Sequence, residues 1–231
     1  MDFNKHKFFM LQILRDIYSD LELANALGFK GGSALMFFYD LPRFSIDLDF
    51  NLIQSDKEKE TKIYQKMQNI LLKYGKIDEV QKFFGLILVL NYGKGERKLK
   101  VEISNRQQES RYEVKTFMGI NMLVMTIADM FANKLCALLD RNDLTNRDIF
   151  DCWFFMENRT PVNKNLIEIR MKMPFLNYLQ NCIDTLNKPL DKNLLDGIGD
   201  LIDKKMKPFV RTKLLTETIT LLRFYQAFPI T

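Results

Sequence analysis

The chain has 231 residues, with 47% hydrophobic and 27% charged side chains and a formal net charge of +5. That is an ordinary globular balance, enough for one large domain or two small ones. No apolar run approaches the roughly 20 residues of a membrane span, since the longest, Phe83–Leu90, is strand-sized. His6 is the only histidine, and Cys136, Cys152 and Cys182 are widely spaced with no CxxC pair. A zinc site, a Cys–His pair and a Ser–His–Asp triad are therefore disfavoured, which leaves carboxylates, lysines, arginines and hydroxyls for any chemistry. The N-terminal segment carries acid early and has no small-residue cleavage site, so a cytoplasmic protein without a signal peptide and without membrane association is expected.

In chain order, residues 5–27 predict a helix with Met10, Ile13, Leu14, Ile17, Leu21 and Ala24 on its apolar stripe, ended by Gly28. Gly31-Gly32-Ser33 precedes a short helix over Ala34–Tyr39, and the loop Asp40–Ser45 follows. Ile46–Leu52 alternates as a strand does, with Ile46, Leu48 and Phe50 on one face and Asp47, Asp49 and Asn51 on the other. A charged helix is expected over 55–74 and a strand over Phe83–Tyr92. Gly93-Lys94-Gly95-Glu96 predicts a hairpin turn into the strand Leu99–Ser104, where Lys100, Glu102 and Ser104 face outward. Helices are predicted over 121–141 and Asn146–Met156. The rest reads as helical, interrupted at Pro161, Pro174, Pro189 and Pro208.

This pattern implies an α+β fold: a small mixed-sheet module over residues 1–118, then an all-helical module over 119–231. The charge is uneven. Residues 158–231 hold 12 basic and 7 acidic side chains, which accounts for the whole excess, and 204–213 is the densest basic stretch. Such a patch favours phosphate-bearing partners, or is a solvated lysine-rich helix face.

Asp47 and Asp49, two apart on a strand, project from one face. If the strand carrying Glu102 lies alongside, three carboxylates converge, and a hard divalent cation would relieve their repulsion. Acids on a solvent-facing strand are otherwise ordinary. Gly31-Gly32-Ser33 adds a backbone that a phosphate can approach closely, with a hydroxyl at a helix N-terminus. Asp47 follows Ser33 by fourteen residues, so phosphate cradle and metal site would be adjacent, as phosphoryl or nucleotidyl transfer requires.

The block Lys30-Gly31-Gly32-Ser33-Ala34-Leu35 with Leu41-Pro42-Arg43-Phe44-Ser45-Ile46-Asp47-Leu48-Asp49-Phe50 resembles the signature of the DNA polymerase β-like nucleotidyltransferase superfamily. Within it, the second half resembles the AbiEii/AbiGii toxin family. A further matching block runs from Asp129 through Lys134 to Leu138 with Arg141, then from Arg147 to Phe154. The resemblance implies a nucleotidyltransferase module in the first part of the chain and a helical domain completing its nucleotide cleft. It also implies transfer of an NMP from NTP to an acceptor hydroxyl, a tRNA 3′ end gripped by the basic C-terminal helices, in a toxin–antitoxin or phage-defence pair. The alternatives are a small-molecule or protein acceptor, or a catalytically silent partner-binding module. Carried over residue by residue, Gly32 and Ser33 would contact nucleotide phosphates, and Asp47, Asp49 and Glu102 would hold Mg²⁺ or Mn²⁺. Lys134 would bind the triphosphate. Asp148 or Asp151 would orient Lys134 or touch base or ribose, while Arg147 and Asp151 could equally be a surface ion pair. Arg43 would reach phosphate or fix its loop against a motif acid, Ser45 reads as a turn residue, and Trp153 as core. A cognate antitoxin is a possible partner.

Overall fold

The computed structural model describes residues 2–53, 57–82, 85–106, 109–140, 144–188 and 193–230. It divides into two compact units, the first comprising Met1–Asp40 and Phe44–Met125, the second Leu41–Arg43 and Thr126–Thr231.

The first unit is a seven-stranded mixed sheet with helices. α1 (Phe3–Ser19) starts where the Asp2 carboxylate accepts from the Lys5 amide at 3.0 Å, and buries Met10, Ile13, Leu14 and Ile17. The single helix expected over 5–27 is instead two helices and a strand. Asp20 ends α1 and caps α2 (Leu21–Ala26) by accepting from the Glu22 and Leu23 amides. Leu27 and Phe29, both fully buried, then join the sheet as β1 (Leu27–Lys30). The apolar stripe ran unbroken through this change of period, so only the cap marks it.

α3 (Gly31–Phe38) follows directly and leads to β2 (Asp47–Leu52), whose Leu48 and Phe50 are fully buried as the alternation predicts. Asn51, placed on the polar face, is nonetheless buried and donates to the Tyr112 hydroxyl at 2.7 Å. α4 (Lys57–Leu72) is the charged helix; its expected first residues, 55 and 56, lie outside the described residues. β3 (Lys76–Lys82), β4 (Gly85–Asn91) and β5 (Leu99–Ser104) form an antiparallel run. The turn at 93–96 closes with the Glu96 amide donating to the Gly93 carbonyl at 3.2 Å. Phe83 and Phe84, read as the start of the β4 strand, lie outside the described residues.

β6 (Tyr112–Phe117) and β7 (Ile120–Met125) complete the sheet in the order β3-β4-β5-β2-β1-β7-β6. The helix expected over 121–141 is thus corrected: 120–125 is a strand, and α5 spans Ile127–Asp140. Met122 and Val124 are fully buried, so the strand's apolar residues had merged with the helical stripe that follows. Arg141, part of the family-like block, lies outside the described residues. Two pairings are parallel, β2 with β5 and β1 with β7, and the first sets the site.

The second unit is helical: α5, α6 (Asn146–Glu157), α7 (Lys164–Met171), α8 (Phe175–Leu186), α9 (Met206–Thr212) and α10 (Leu214–Ala227). Its core stacks Phe131 on Phe155 at 4.9 Å with Tyr225 edge-on at 5.7 Å. The buried Tyr178 and Tyr225 hydroxyls donate to the Leu135 and Thr160 carbonyls at 2.7 and 2.8 Å, so large aromatics enter the core without an unmet polar atom. Pro208 does not interrupt the helix there. It sits in the first turn of α9, where a missing amide costs nothing. Pro189 lies outside the described residues. Among the described residues, no helix is long and apolar enough to cross a membrane.

Candidate active site

The parallel β2–β5 register sets Asp49 opposite Glu102 and Asp47 opposite Lys100. Since alternate residues share a face, these four side chains occupy one patch of the sheet. The Lys100 ammonium donates to Glu102 Oε2 at 3.0 Å. Burial works against the charged lysine, but Asp49, Asp47 and Glu102 outweigh it and raise its pKa. Among the described residues, no three acidic, histidine or cysteine side chains are gathered closely enough to hold a metal ion as they stand. The donor set nevertheless fits Mg²⁺ or Mn²⁺ in kind, being three hard carboxylates on adjacent positions of two neighbouring strands.

Gly31 is tied to this patch. Its φ of +78° suits glycine, and a Cβ there would lie 2.6 Å from Asp49 Oδ2. The missing side chain is the space that the Asp49 carboxylate occupies at the start of α3. Gly32 and Ser33 are buried in the first turn. The Ser33 hydroxyl donates to the Asp47 carbonyl and so ties α3 to β2. On the next strand Lys30 stands opposite Asp49 and donates to Asn51 Oδ1.

A separate ionic network lies within the second unit. Arg43 grips Asp151 with two hydrogen bonds, Nε to Oδ1 at 2.6 Å and Nη2 to Oδ2 at 2.7 Å. Lys134 lies 2.7 Å from Asp151 Oδ2 and 3.1 Å from Asp148 Oδ1, and Thr145 donates to Asp148 Oδ2 at 2.7 Å. Arg43, Asp148 and Asp151 are buried. Burial favours the neutral acid at Asp151, yet Arg43 and then Lys134 overcome it and hold the carboxyl at about 2. Burial likewise disfavours the Lys134 ammonium, but Asp151 and Asp148 raise its pKa, so it stays charged.

The sequence-predicted residues therefore divide. Asp47, Asp49, Glu102, Gly32 and Ser33 come together in the sheet unit; Arg43, Lys134, Asp148 and Asp151 come together in the helical unit. Of the two roles open to Arg43, the geometry displays the pairing with a motif acid. The surface pair of Arg147 with Asp151 is corrected, since Asp151 is fully buried and turned to Arg43 and Lys134. Trp153 is half-buried against Phe150 and Phe209 at 5.3 and 4.7 Å. Lys100 and Lys30 were missed. Lys100 had a legible signal, being two residues from Glu102 on the same strand face.

A sequence model of the family described as "Nucleotidyl transferase AbiEii toxin, Type IV TA system" matches residues 12–214. The chain belongs to the AbiEii nucleotidyltransferase toxin family. It is a nucleotidyltransferase of the toxin–antitoxin class, as the resemblance implied. Solved structures share the α/β fold. JHP933 from Helicobacter pylori aligns with a TM-score of 0.62 at 20% identity, covering 97% of this chain and 92% of that one. MenT4, a nucleotidyltransferase toxin from Mycobacterium tuberculosis H37Rv, aligns with a TM-score of 0.55 at 19% identity, covering 93% and 82%. A comparison with curated proteins finds no match.

Proposed function

We propose that this nucleotidyltransferase moves a nucleoside monophosphate from an NTP to the 3′ hydroxyl of a tRNA, depends on a divalent metal, and is held in check by a cognate antitoxin in the cytoplasm. The observation that carries the acid site is the register that sets Asp49 opposite Glu102, with Asp49 lodged against the bare Cα of Gly31. Asp47, Asp49 and Glu102 would hold Mg²⁺ or Mn²⁺, which when bound supplies Lewis acidity toward the phosphate and acceptor oxygens. The start of α3 favours negative charge beside Asp49. The acceptor oxygen bonds to the α-phosphorus, the bond to the bridging oxygen breaks, pyrophosphate leaves, and the hydroxyl proton passes to a carboxylate of the trio. In the helical unit, Lys134 has the charge to bind a phosphate, and Asp148 and Asp151 fix its position. Three free, buried cysteines suit a reducing compartment.

RNA as acceptor is supported by Lys204, Lys205, Arg211 and Lys213, all exposed in and around α9. Among the described residues none of the four has a carboxylate within ion-pairing distance, so their charge is available to phosphates. Incubating the protein with total tRNA, protein and small hydroxyl compounds plus each labelled NTP tests the proposal. Label at RNA 3′ ends is expected, with loss in D49N at unchanged circular dichroism. Label on protein or a small molecule would overturn the acceptor, and undiminished labelling by D49N would overturn the acid site. In K204E/K205E, RNA affinity is expected to fall across all sequences, with a shallower salt dependence by roughly 1 to 1.5 in log–log slope.

A further inference from the structure

We propose that Lys100 is a resident counter-cation of the acid trio and competes with the divalent cation for Glu102, so that metal loading requires its ammonium to let go. This rests on the assignment of Asp47, Asp49 and Glu102 as the metal-holding acids.

Neighbouring strands lie about 4.8 Å apart and alternate residues along a strand about 6.6 Å apart. Lys100 is the direct cross-strand partner of Asp47 and shares its own strand face with Glu102, which is the partner of Asp49. Within the β2–β5 patch one ammonium thus stands at one corner and acids at the other three, while Lys30, opposite Asp49 on β1, donates to Asn51. Its contact with Glu102, at 3.0 Å, turns that carboxylate onto the ammonium. This accounts for three acids that are adjacent in register and yet form no ready-made cage among the described residues.

The exposure of the pair suits exchange. Lys100 and Glu102 keep 37% and 34% of their side chains accessible, so water can take over either partner as the contact opens. A lysine stem is long and flexible, and an ammonium is a compact, well hydrated charge that gives up one carboxylate without a fixed fork to break. A patch with three acids and no lysine would repel itself whenever metal is absent; the lysine supplies that compensation and, for the same reason, opposes the incoming cation.

The test measures Mn²⁺ binding without nucleotide, by electron paramagnetic resonance, for the full chain and for K100M, K100Q, K100R and D49N. K100M, or K100Q should K100M misfold, is expected to bind Mn²⁺ roughly tenfold tighter, the scale of removing one unit charge a few ångströms away in a half-exposed setting. Its melting temperature should also rise more steeply with Mn²⁺ concentration, while K100R behaves as the parent protein. If the parent binds Mn²⁺, D49N does not, and the neutral variants bind no tighter than the parent, the competition is overturned and the acid assignment stands. If neither the parent nor the neutral variants bind Mn²⁺, the acid assignment fails and the competition fails with it.

Discussion

The two units each carry a cluster of carboxylates and basic side chains, in different surroundings. In the sheet unit, the Lys100–Glu102 pair is about one-third exposed. In the helical unit, the Arg43 and Asp151 side chains are 4% and 0% exposed, and Lys134 17%. Water can replace a partner in the first cluster but not in the second. A charge withdrawn from the buried network strands its partners in a poorly solvating interior, whereas one withdrawn from the sheet patch is quickly hydrated. Chemistry that must exchange ligands belongs in the first setting, and a lysine that must stay charged and in place belongs in the second.

The largest test of that contrast is D151A, which leaves Arg43 and Lys134 buried without their shared carboxylate. It is expected to cost about 3–5 kcal/mol in chemical denaturation. Next comes pH. Asp151 titrates at about 2 in the folded protein against an ordinary 3.8. Because the folded value is depressed, its contribution is fully present above 3.8 and is lost as pH falls toward 2. That contribution is about 2 kcal/mol, and an acid titration of stability should show it in the parent and not in D151N.

Gly31→Ala follows, forcing a Cβ onto a positive φ and against the Asp49 carboxylate. A stability loss of about 1–3 kcal/mol is expected in denaturant melts, together with reduced transfer. The smallest effect on stability belongs to E102Q. Its half-exposed ion pair is worth less than about 1 kcal/mol, so its melting curve should barely move while most of the transfer activity disappears. A large loss of stability in E102Q would erase the distinction between the two clusters.

Much of the sheet patch was legible because strand alternation and a glycine pair are local signals. Asp47, Asp49 and Glu102 fell on the polar side of strands whose buried partners, Leu48, Phe50, Val101 and Ile103, are strongly apolar. Their convergence was not legible, since it depends on β2 and β5 pairing in parallel across the residues that form α4, β3 and β4. β1 and β7 were hidden for a different reason. Each abuts a helix with its own apolar stripe, and short buried strands lack the polar alternation that marks a boundary. The helical network was only half legible. Lys134 was marked by the family resemblance, but Arg43 offered two roles until its partner, 108 residues away, was seen.

That separation has a consequence for synthesis. A ribosome adding roughly 5–20 residues per second needs about 5–20 s to travel from Arg43 to Asp151. Within that interval the nascent chain gains Asp47, Asp49 and then Glu102, while the Arg43 guanidinium still lacks the carboxylate that anchors it. The newborn toxin would thus spend seconds with the acids of its sheet face made and its Arg43 anchor unmade, a window in which a co-translationally acting protease would meet an open chain rather than a finished enzyme.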